Sequence, residues 1–401
     1  MKQFDITYFH GPFSNFVANE NVIADIAASG MTLMPLHYDT EINKQALPIL
    51  QRFGLKAIIA DPRISEIYAS GRIVDADSTV KAVVEDYKEF NNVIGWDIVD
   101  EPSETKFAVL SAIVNAFRRY SPTMETVINL FPNYALPEQL GSPDYLSHLE
   151  SFVNVVRPHL LSYDHYHFLG RENRKKAMEL DASVSERERQ IILSAETLEN
   201  RGGFFENIEA CREVALKYDI PPMLIVLLTE HGPYRNLTRS ELYWEVNMCL
   251  AYGMKRISYF TYWEPEYDAY WQWQNAMCDT QGNKMQHWYD VKAINEVIAP
   301  IGNRLFNTQS KAVFHIGKSE NGTTEFNGYG VISSIDGNEG VVGFFEDGSI
   351  YLVNRDFTNE NSFTLHSTSP LSVFSDNHFT PVNGDSFTVK LGAGEAILLK
   401  A

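Results

Sequence analysis

The chain has 401 residues, 44% of them hydrophobic, so it can bury a large core and is not expected to be disordered. Its formal net charge of -19 at pH 7 argues against nucleic acid or an anionic membrane surface as a partner. Three cysteines without a CxxC pair exclude a disulfide framework and a zinc knuckle, and they favour a reduced, cytoplasmic protein.

Short apolar runs alternate with longer helical patterns over the first three-quarters of the chain, which predicts parallel strands joined by crossover helices. Helices are expected over Thr79–Asn91, which has a 3.6-residue apolar repeat, and over Thr238–Gly253, which opens with a capping box. This arrangement predicts an α/β fold, a (β/α)8 TIM barrel spanning residues 1–305. The predicted strands are Phe4–His10, Met31–His37, Lys56–Asp61, Val93–Asp100, Glu125–Phe131, Leu160–Tyr166, Met223–Thr229 and Arg256–Tyr262.

Two further segments complete the predicted organisation. Residues near 169–203 are charged and too many for an ordinary connection, so we interpret them as an insertion, either a lid over the barrel mouth or a solvated loop. After residue 305, alternating runs separated by Asn-Gly and Asp-Gly pairs predict hairpins. Residues 306–401 are therefore predicted to form a C-terminal antiparallel β-sandwich domain packed on the barrel. The N-terminus lacks a signal-peptide pattern and no apolar run reaches membrane-spanning length, so we expect a cytoplasmic location unless a signal peptide has been removed.

The fourth predicted strand ends in Asp100, Glu101 and Pro102. Pro102 stops the strand, so both carboxylates lie at its carboxyl end, where barrel enzymes build their active sites. Side chains alternate along a strand, so only one of the two should point at the barrel axis. Glu230 ends the seventh strand, which lies opposite, and two such carboxylates can flank one glycosidic bond. The competing interpretation is that these are solvent-exposed loop acids.

Several runs resemble the clan A glycoside hydrolases, retaining (β/α)8 glycosidases with two catalytic glutamates. Gly95–Pro102 resembles their acid/base strand, Ile257–Trp263 their eighth strand, and residues 279–295 the last barrel helix of the β-galactosidase-like members. The resemblance implies a retaining glycosidase that acts on an oligo- or polysaccharide without a cofactor. Because Asp100 beside it raises the pKa of Glu101, we expect Glu101 to be the acid/base and Glu230 the nucleophile.

Two positions depart from the family pattern, and further polar residues are expected around the site. The clan usually has Asn before the acid/base, whereas Asp100 can accept but not donate an amide hydrogen bond. Glu264, at the end of the eighth strand, is a rival nucleophile. The residues expected to bind substrate are His10, His37, Asp100, Asn133, Asp164, His165, Tyr166, Trp263 and Glu264. Trp271 and Trp273 follow the eighth strand and are candidates for an outer subsite wall, with core packing as the competing account.

Two other functions remain compatible with the same residues. A barrel that binds carbohydrate without cleaving it would use the same cavity. A metal-dependent barrel hydrolase or isomerase would need a ligand set, for which the pair His165 and His167 is only a weak signal. We expect no metal.

Overall fold

The computed structural model describes residues 3–170, 200–268, 271–382 and 384–401. Eight parallel strands form one sheet in the order β1-β8-β7-β6-β5-β4-β3-β2. Hydrogen bonds between the backbone of Ile6 and Thr32 join the two ends of the sheet, so the barrel is nearly closed. The strands are β1 Asp5–Tyr8, β2 Leu33–Leu36, β3 Lys56–Ile59, β4 Val93–Asp100, β5 Glu125–Leu130, β6 Leu161–Asp164, β7 Pro222–Leu227 and β8 Arg256–Phe260. All eight predicted strands are confirmed, with ends that differ by a few residues.

Helices surround the barrel, and most of them are amphipathic. The Thr238 hydroxyl accepts from the Glu241 N–H, and the Glu241 carboxylate accepts from the Thr238 N–H, which confirms the predicted capping box. The predicted insertion falls largely on residues 171–199, outside the described residues. The described helices are α1 Glu20–Ala28, α2 Thr40–Arg52, α3 Pro62–Ser70, α4 Ala76–Tyr87, α5 Phe107–Tyr120, α6 Pro137–Leu140, α7 Tyr145–Val156, α8 Phe204–Tyr218, α9 Arg239–Ala251 and α10 Gln286–Phe306. Within the described part of the chain, none has the length and apolarity needed to cross a membrane.

The C-terminal strands form a β-sandwich, as predicted. One antiparallel sheet has the order β15-β14-β17-β12-β11-β9 and the other β10-β13-β16. Side chains from both sheets, such as Val342, Leu352 and Phe363, share one apolar core between them. The strands are β9 Ser310–Ile316, β10 Ile332–Asp336, β11 Gly340–Phe345, β12 Ser349–Asn354, β13 Asn361–Ser367, β14 Ser372–Ser375, β15 His378–Pro381, β16 Ser386–Leu391 and β17 Ala396–Lys400.

The sandwich packs against helix α9. The Trp244 indole N–H donates to the Arg355 carbonyl at 2.9 Å, and the Tyr351 hydroxyl donates to Asn247 Oδ1 at 2.7 Å. Gly343 lies so close to Ala251 that a Cβ atom at Gly343 would stand 2.2 Å from the Ala251 carbonyl oxygen. Most side chains of α9 are therefore buried, those on the face away from the barrel included.

Candidate active site

A cavity of about 740 Å³ opens at the carboxyl ends of the barrel strands. Its wall contains three carboxylates, one arginine and many aromatic rings. The carboxylates are Asp100, Glu101 and Asp164, and the arginine is Arg201. The aromatic side chains are Phe9, Phe131, Tyr134, Tyr166, His231, Tyr234, Phe260, Trp271 and Trp273. A concave aromatic wall with a few convergent polar groups is the usual form of a small-molecule site.

A β-bulge in β4 brings both carboxylates of the Asp100-Glu101 pair to this cavity. The pairing of β4 with β5 shifts register between Asp97 and Val99, after which Asp100 pairs with Asn129. One extra residue reverses which side chains point inward, so Asp100 faces the cavity with Asn129. Glu101 then adopts a positive φ of 46°, and its N–H donates to the Asn129 carbonyl at 2.8 Å. The expectation that only one of the two acids faces the barrel interior is therefore wrong.

Asn129, on β5, links the carboxylates of the two neighbouring strands β4 and β6. Its amide nitrogen donates to Asp100 Oδ1 at 3.0 Å and to Asp164 Oδ1 at 2.8 Å. Its amide oxygen accepts from the Ser162 hydroxyl at 3.0 Å, which fixes the orientation of the amide. Both amide protons are thus directed at carboxylates. The sequence carried a signal for this residue, because Asn129 interrupts the apolar run of β5.

The pKa of each of the three cavity carboxyl groups is raised. Burial raises the pKa of Glu101, and the charges of Asp164 and Asp100 raise it further. Burial and the charge of Asp100 also raise the pKa of Asp164, but the hydrogen bond from Asn129 opposes that rise. Asp100 also lines the cavity, and desolvation by the surrounding protein raises its pKa to about 6, against the hydrogen bond from the same Asn129 amide. Since Asn129 donates to both aspartates and not to the Glu101 carboxyl, Glu101 is the group best suited to hold a proton.

Glu230 points away from this cavity. Its Oε2 accepts from the Asn275 amide at 2.6 Å, and its carbonyl accepts from the Gln274 N–H at 3.0 Å. The next residue, His231, lines the cavity, and its ring stacks on Trp273 with centroids 4.5 Å apart. The structure therefore brings Glu101 together with Asp164, and it does not bring Glu230 onto the same wall.

Of the other predicted substrate-binding residues, Asp100, Asp164 and Tyr166 line the cavity. Asn133 instead donates to the Gly203 carbonyl at 2.9 Å, and the His165 Nδ1 bonds to Asn207 at 3.0 Å. Both side chains lie behind the cavity wall and anchor the start of α8.

The predicted residues at the first, second and eighth strands lie outside the wall of this cavity. Trp263 is 1% exposed and packs between Phe13 and Phe16, so core packing is its role here. The main-chain N–H of Glu264 donates to the Cys278 carbonyl, and burial raises the pKa of its carboxyl.

The two predicted histidines flank the β1–β2 side of the barrel mouth. His37 Nε2 lies 2.9 Å from Asp97 Oδ2. Burial, together with His37, lowers the pKa of His10 to about 4, so its ring is neutral at physiological pH. Over the described ranges, no group of three or more His, Cys, Asp or Glu side chains is arranged to hold a metal ion.

The sequence pointed to Trp271 and Trp273, and both line the cavity, with their rings stacked at 5.8 Å. Arg201 and His231 were not anticipated. His231 follows Glu230, the residue that the sequence analysis selected instead. Arg201 belongs to the connection after β6, whose path the sequence pattern does not reveal.

The chain is similar in structure to solved glycoside hydrolases. Against a catalytic mutant of Gan42B, a GH42 β-galactosidase from G. stearothermophilus, the identity is 7%, the coverage is 100% of this chain and 98% of that chain, and the TM-score is 0.65. Against a glycoside hydrolase family 5 protein from Bacteroides vulgatus, the identity is 10%, the coverage is 98% of this chain and 86% of that chain, and the TM-score is 0.56. The fold is that of the (β/α)8 glycoside hydrolases. This confirms the fold implied by the resemblance seen in the sequence.

Other comparisons show how far the similarity to known proteins extends. The β-galactosidase from the psychrophilic Marinomonas ef1 matches at 10% identity and a TM-score of 0.52, over 76% of this chain. The present chain spans 61% of the length of that protein. No protein-family model matches the sequence, and the search of curated proteins finds no match. At these identities the likeness concerns the fold, so the function has to be argued from the cavity.

Proposed function

We propose that the protein is a glycoside hydrolase that cleaves an O-glycosidic bond in an oligo- or polysaccharide with two carboxyl groups. The observation that carries the proposal is the pair Glu101 and Asp164, which share one aromatic cavity, where burial and the charge of Asp164 raise the pKa of Glu101. Two carboxyls of unequal pKa in one cleft are what glycosidic hydrolysis requires. The fold of the similar solved structures is compatible with this chemistry.

In the proposed reaction Glu101 holds a proton. Burial raises the pKa of Asp164 to about 8, so Asp164 reacts through the ionised form that the Asn129 hydrogen bond favours. Glu101 transfers its proton to the oxygen of the leaving group while Asp164 attacks the anomeric carbon, so the glycosidic C–O bond breaks and a glycosyl ester forms. Glu101, now ionised, takes a proton from water, and the resulting hydroxide displaces Asp164. The hemiacetal is released with retained configuration. Asp100 accepts a hydrogen bond from a sugar hydroxyl, while Asn129 keeps the aspartates in place.

The choice of Asp164 over Glu230 rests on where each side chain lies. Asp164 is on the cavity wall, and one Asn129 amide proton favours its ionised form. Glu230 accepts a hydrogen bond from Asn275 beyond the wall. An ionised carboxylate that must attack substrate has to reach the cavity, so we propose Asp164 as the second carboxylate and retain Glu230 and Glu264 as the alternatives to be tested.

The test is hydrolysis of a panel of aryl glycosides by wild type, Glu101→Gln, Asp164→Asn and Glu230→Gln. We expect the first two variants to lose at least a hundredfold in kcat and Glu230→Gln to lose much less. Azide should rescue Asp164→Ala and yield a glycosyl azide of inverted configuration. Rescue of Glu230→Ala or Glu264→Ala instead would move the nucleophile to that residue.

A barrel that binds carbohydrate without hydrolysis is the second candidate. It is favoured by one observation, namely that the strand-end glutamate of β7 does not face Glu101. If wild type binds oligosaccharides but leaves every glycoside of the panel intact, this second function is correct and the hydrolase proposal is wrong.

A further inference from the structure

Arg201 stands on the wall of the catalytic cavity and is held there by aromatic rings. Its guanidinium carbon lies 4.1 Å from the centroid of the Tyr134 ring and 5.7 Å from that of Tyr234. Its Nη2 donates to the Tyr234 hydroxyl at 3.3 Å, and its backbone N–H donates to the His167 carbonyl at 2.6 Å. The side chain is therefore positioned before any ligand arrives, which lowers the entropic cost of binding.

The Arg201 guanidinium has an N–H donor without a hydrogen-bond partner. Its Nε is buried and has no hydrogen-bond partner, and none of the described carboxylates pairs with Arg201. Three other buried or partly buried arginines of this acidic chain do have such partners. Arg212 pairs with Glu209, Arg235 with Glu241, and Arg256 with Glu125. Among the described residues, Arg201 has no anionic partner although the chain has a net charge of -19, so an anionic group of a ligand can pair with it.

Accordingly we infer, resting on the proposed function, that the substrate carries a carboxylate that binds Arg201, and that the enzyme acts on glycosides of uronic acids. The planar guanidinium matches a carboxylate with two parallel N–H···O bonds, and its carbon lies over the Tyr134 ring on the cavity wall. A sulfate ester presents similar oxygens, so the experiment includes both anions.

The three cavity carboxylates do not neutralise the positive charge of Arg201. None of them forms an ion pair with Arg201, so the guanidinium keeps its positive charge for the ligand. Asp100 and Asp164 converge on the Asn129 amide at the ends of β4 and β6, whereas Arg201 lies against Tyr134 and Tyr234. A sugar can then present its anomeric carbon to one group and its carboxylate to the other. A neutral sugar would leave the guanidinium without its anion.

The experiment compares matched 4-nitrophenyl glycosides that differ only at C6, which is a hydroxymethyl group in the hexosides and a carboxylate in the uronides. The gluco and galacto series are tested in both anomers, together with the 6-O-sulfated hexosides. The enzymes are wild type, Arg201→Gln and Arg201→Lys, with Arg239→Gln as control. Arg239 is an exposed arginine that stacks on Tyr243, outside the cavity.

We expect wild type to prefer one uronide over its hexoside. Arg201→Gln should lower kcat/KM on that uronide by about 10- to 100-fold, and its loss on the hexoside should be at least tenfold smaller. Arg201→Lys should lie between, and Arg239→Gln should match wild type. Equal losses of Arg201→Gln on both substrates, or preference of wild type for the hexoside or the sulfated sugar, would overturn the inference.

Binding separates this inference from the hydrolase proposal. D-glucuronate and D-galacturonate are titrated calorimetrically into Glu101→Gln and into Glu101→Gln combined with Arg201→Gln. If no glycoside is cleaved by wild type but one uronate binds at least tenfold more weakly to the double variant, the hydrolase proposal fails and the carboxylate site stands. Binding that is equal in the two variants, or absent from both, would refute the site.

Discussion

Replacement of Asn129 by alanine tests the electrostatic argument most directly. The buried amide donates to Asp100 at 3.0 Å and to Asp164 at 2.8 Å, and alanine removes both hydrogen bonds. The backbone contact between the Asn129 carbonyl and the Glu101 N–H does not involve the side chain and should survive. The variant therefore changes the charge balance of the cavity while it leaves the path of the strand in place.

The size of the effect follows from the hydrogen bond to Asp164. A hydrogen bond to a charged group contributes about 1.5–3 kcal/mol. One pKa unit corresponds to about 1.4 kcal/mol, so loss of the donor should raise the pKa of Asp164 by about 1–2 units. The nucleophile must be ionised, and its titration sets the acidic limb of the pH profile of kcat/KM. That limb should therefore move to higher pH by about the same amount.

The assay is kcat/KM for the best glycoside across the pH range in which both proteins remain folded. Asn133→Ala is the matched control, because it also removes an amide hydrogen bond, the partly buried one to the Gly203 carbonyl, but does so behind the cavity wall. Its pH profile should coincide with that of wild type. If the acidic limb of Asn129→Ala does not move, or moves to lower pH, Asp164 is not the group whose ionisation limits the reaction.

Three further results are expected. Trp273→Ala should raise KM by about 2- to 10-fold through loss of ring stacking on the sugar, and Trp273→Phe should raise it less; unchanged KM would place the ring outside the binding site. Gly343→Ala should destabilise the fold by about 1–3 kcal/mol in denaturant titration, since its Cβ would meet the Ala251 carbonyl, whereas Gly202→Ala has no atom within 4 Å and should be neutral. Burial raises the pKa of Glu245 above its value in the unfolded chain. Between these two pKa values the folded protein holds a proton that the unfolded chain has lost, so the free energy of unfolding falls as pH rises. Glu245→Gln should reduce this slope, measured by thermal unfolding at several pH values.

The sequence by itself was sufficient for the architecture. Apolar runs of strand length separated by helical repeats predicted all eight barrel strands, and the Asn-Gly and Asp-Gly turns predicted the sandwich. These signals are local, because the period of apolar residues and the chemistry of turns and caps depend on a few neighbouring residues. The stop at Pro102 likewise placed Asp100 and Glu101 at a strand end.

Which side chains face the cavity was decided only by the tertiary structure. A bulge opposite β5 turned Asp100 inward with Glu101, and pairing with Gln274 and Asn275 turned Glu230 away. The proposed role of Asp164 depends on an amide of the neighbouring strand, and that of Arg201 on tyrosine rings from two other connections. The direction of a side chain at a strand end depends on the register between strands distant in sequence. A one-residue shift of that register reverses the direction, and no local pattern records the shift.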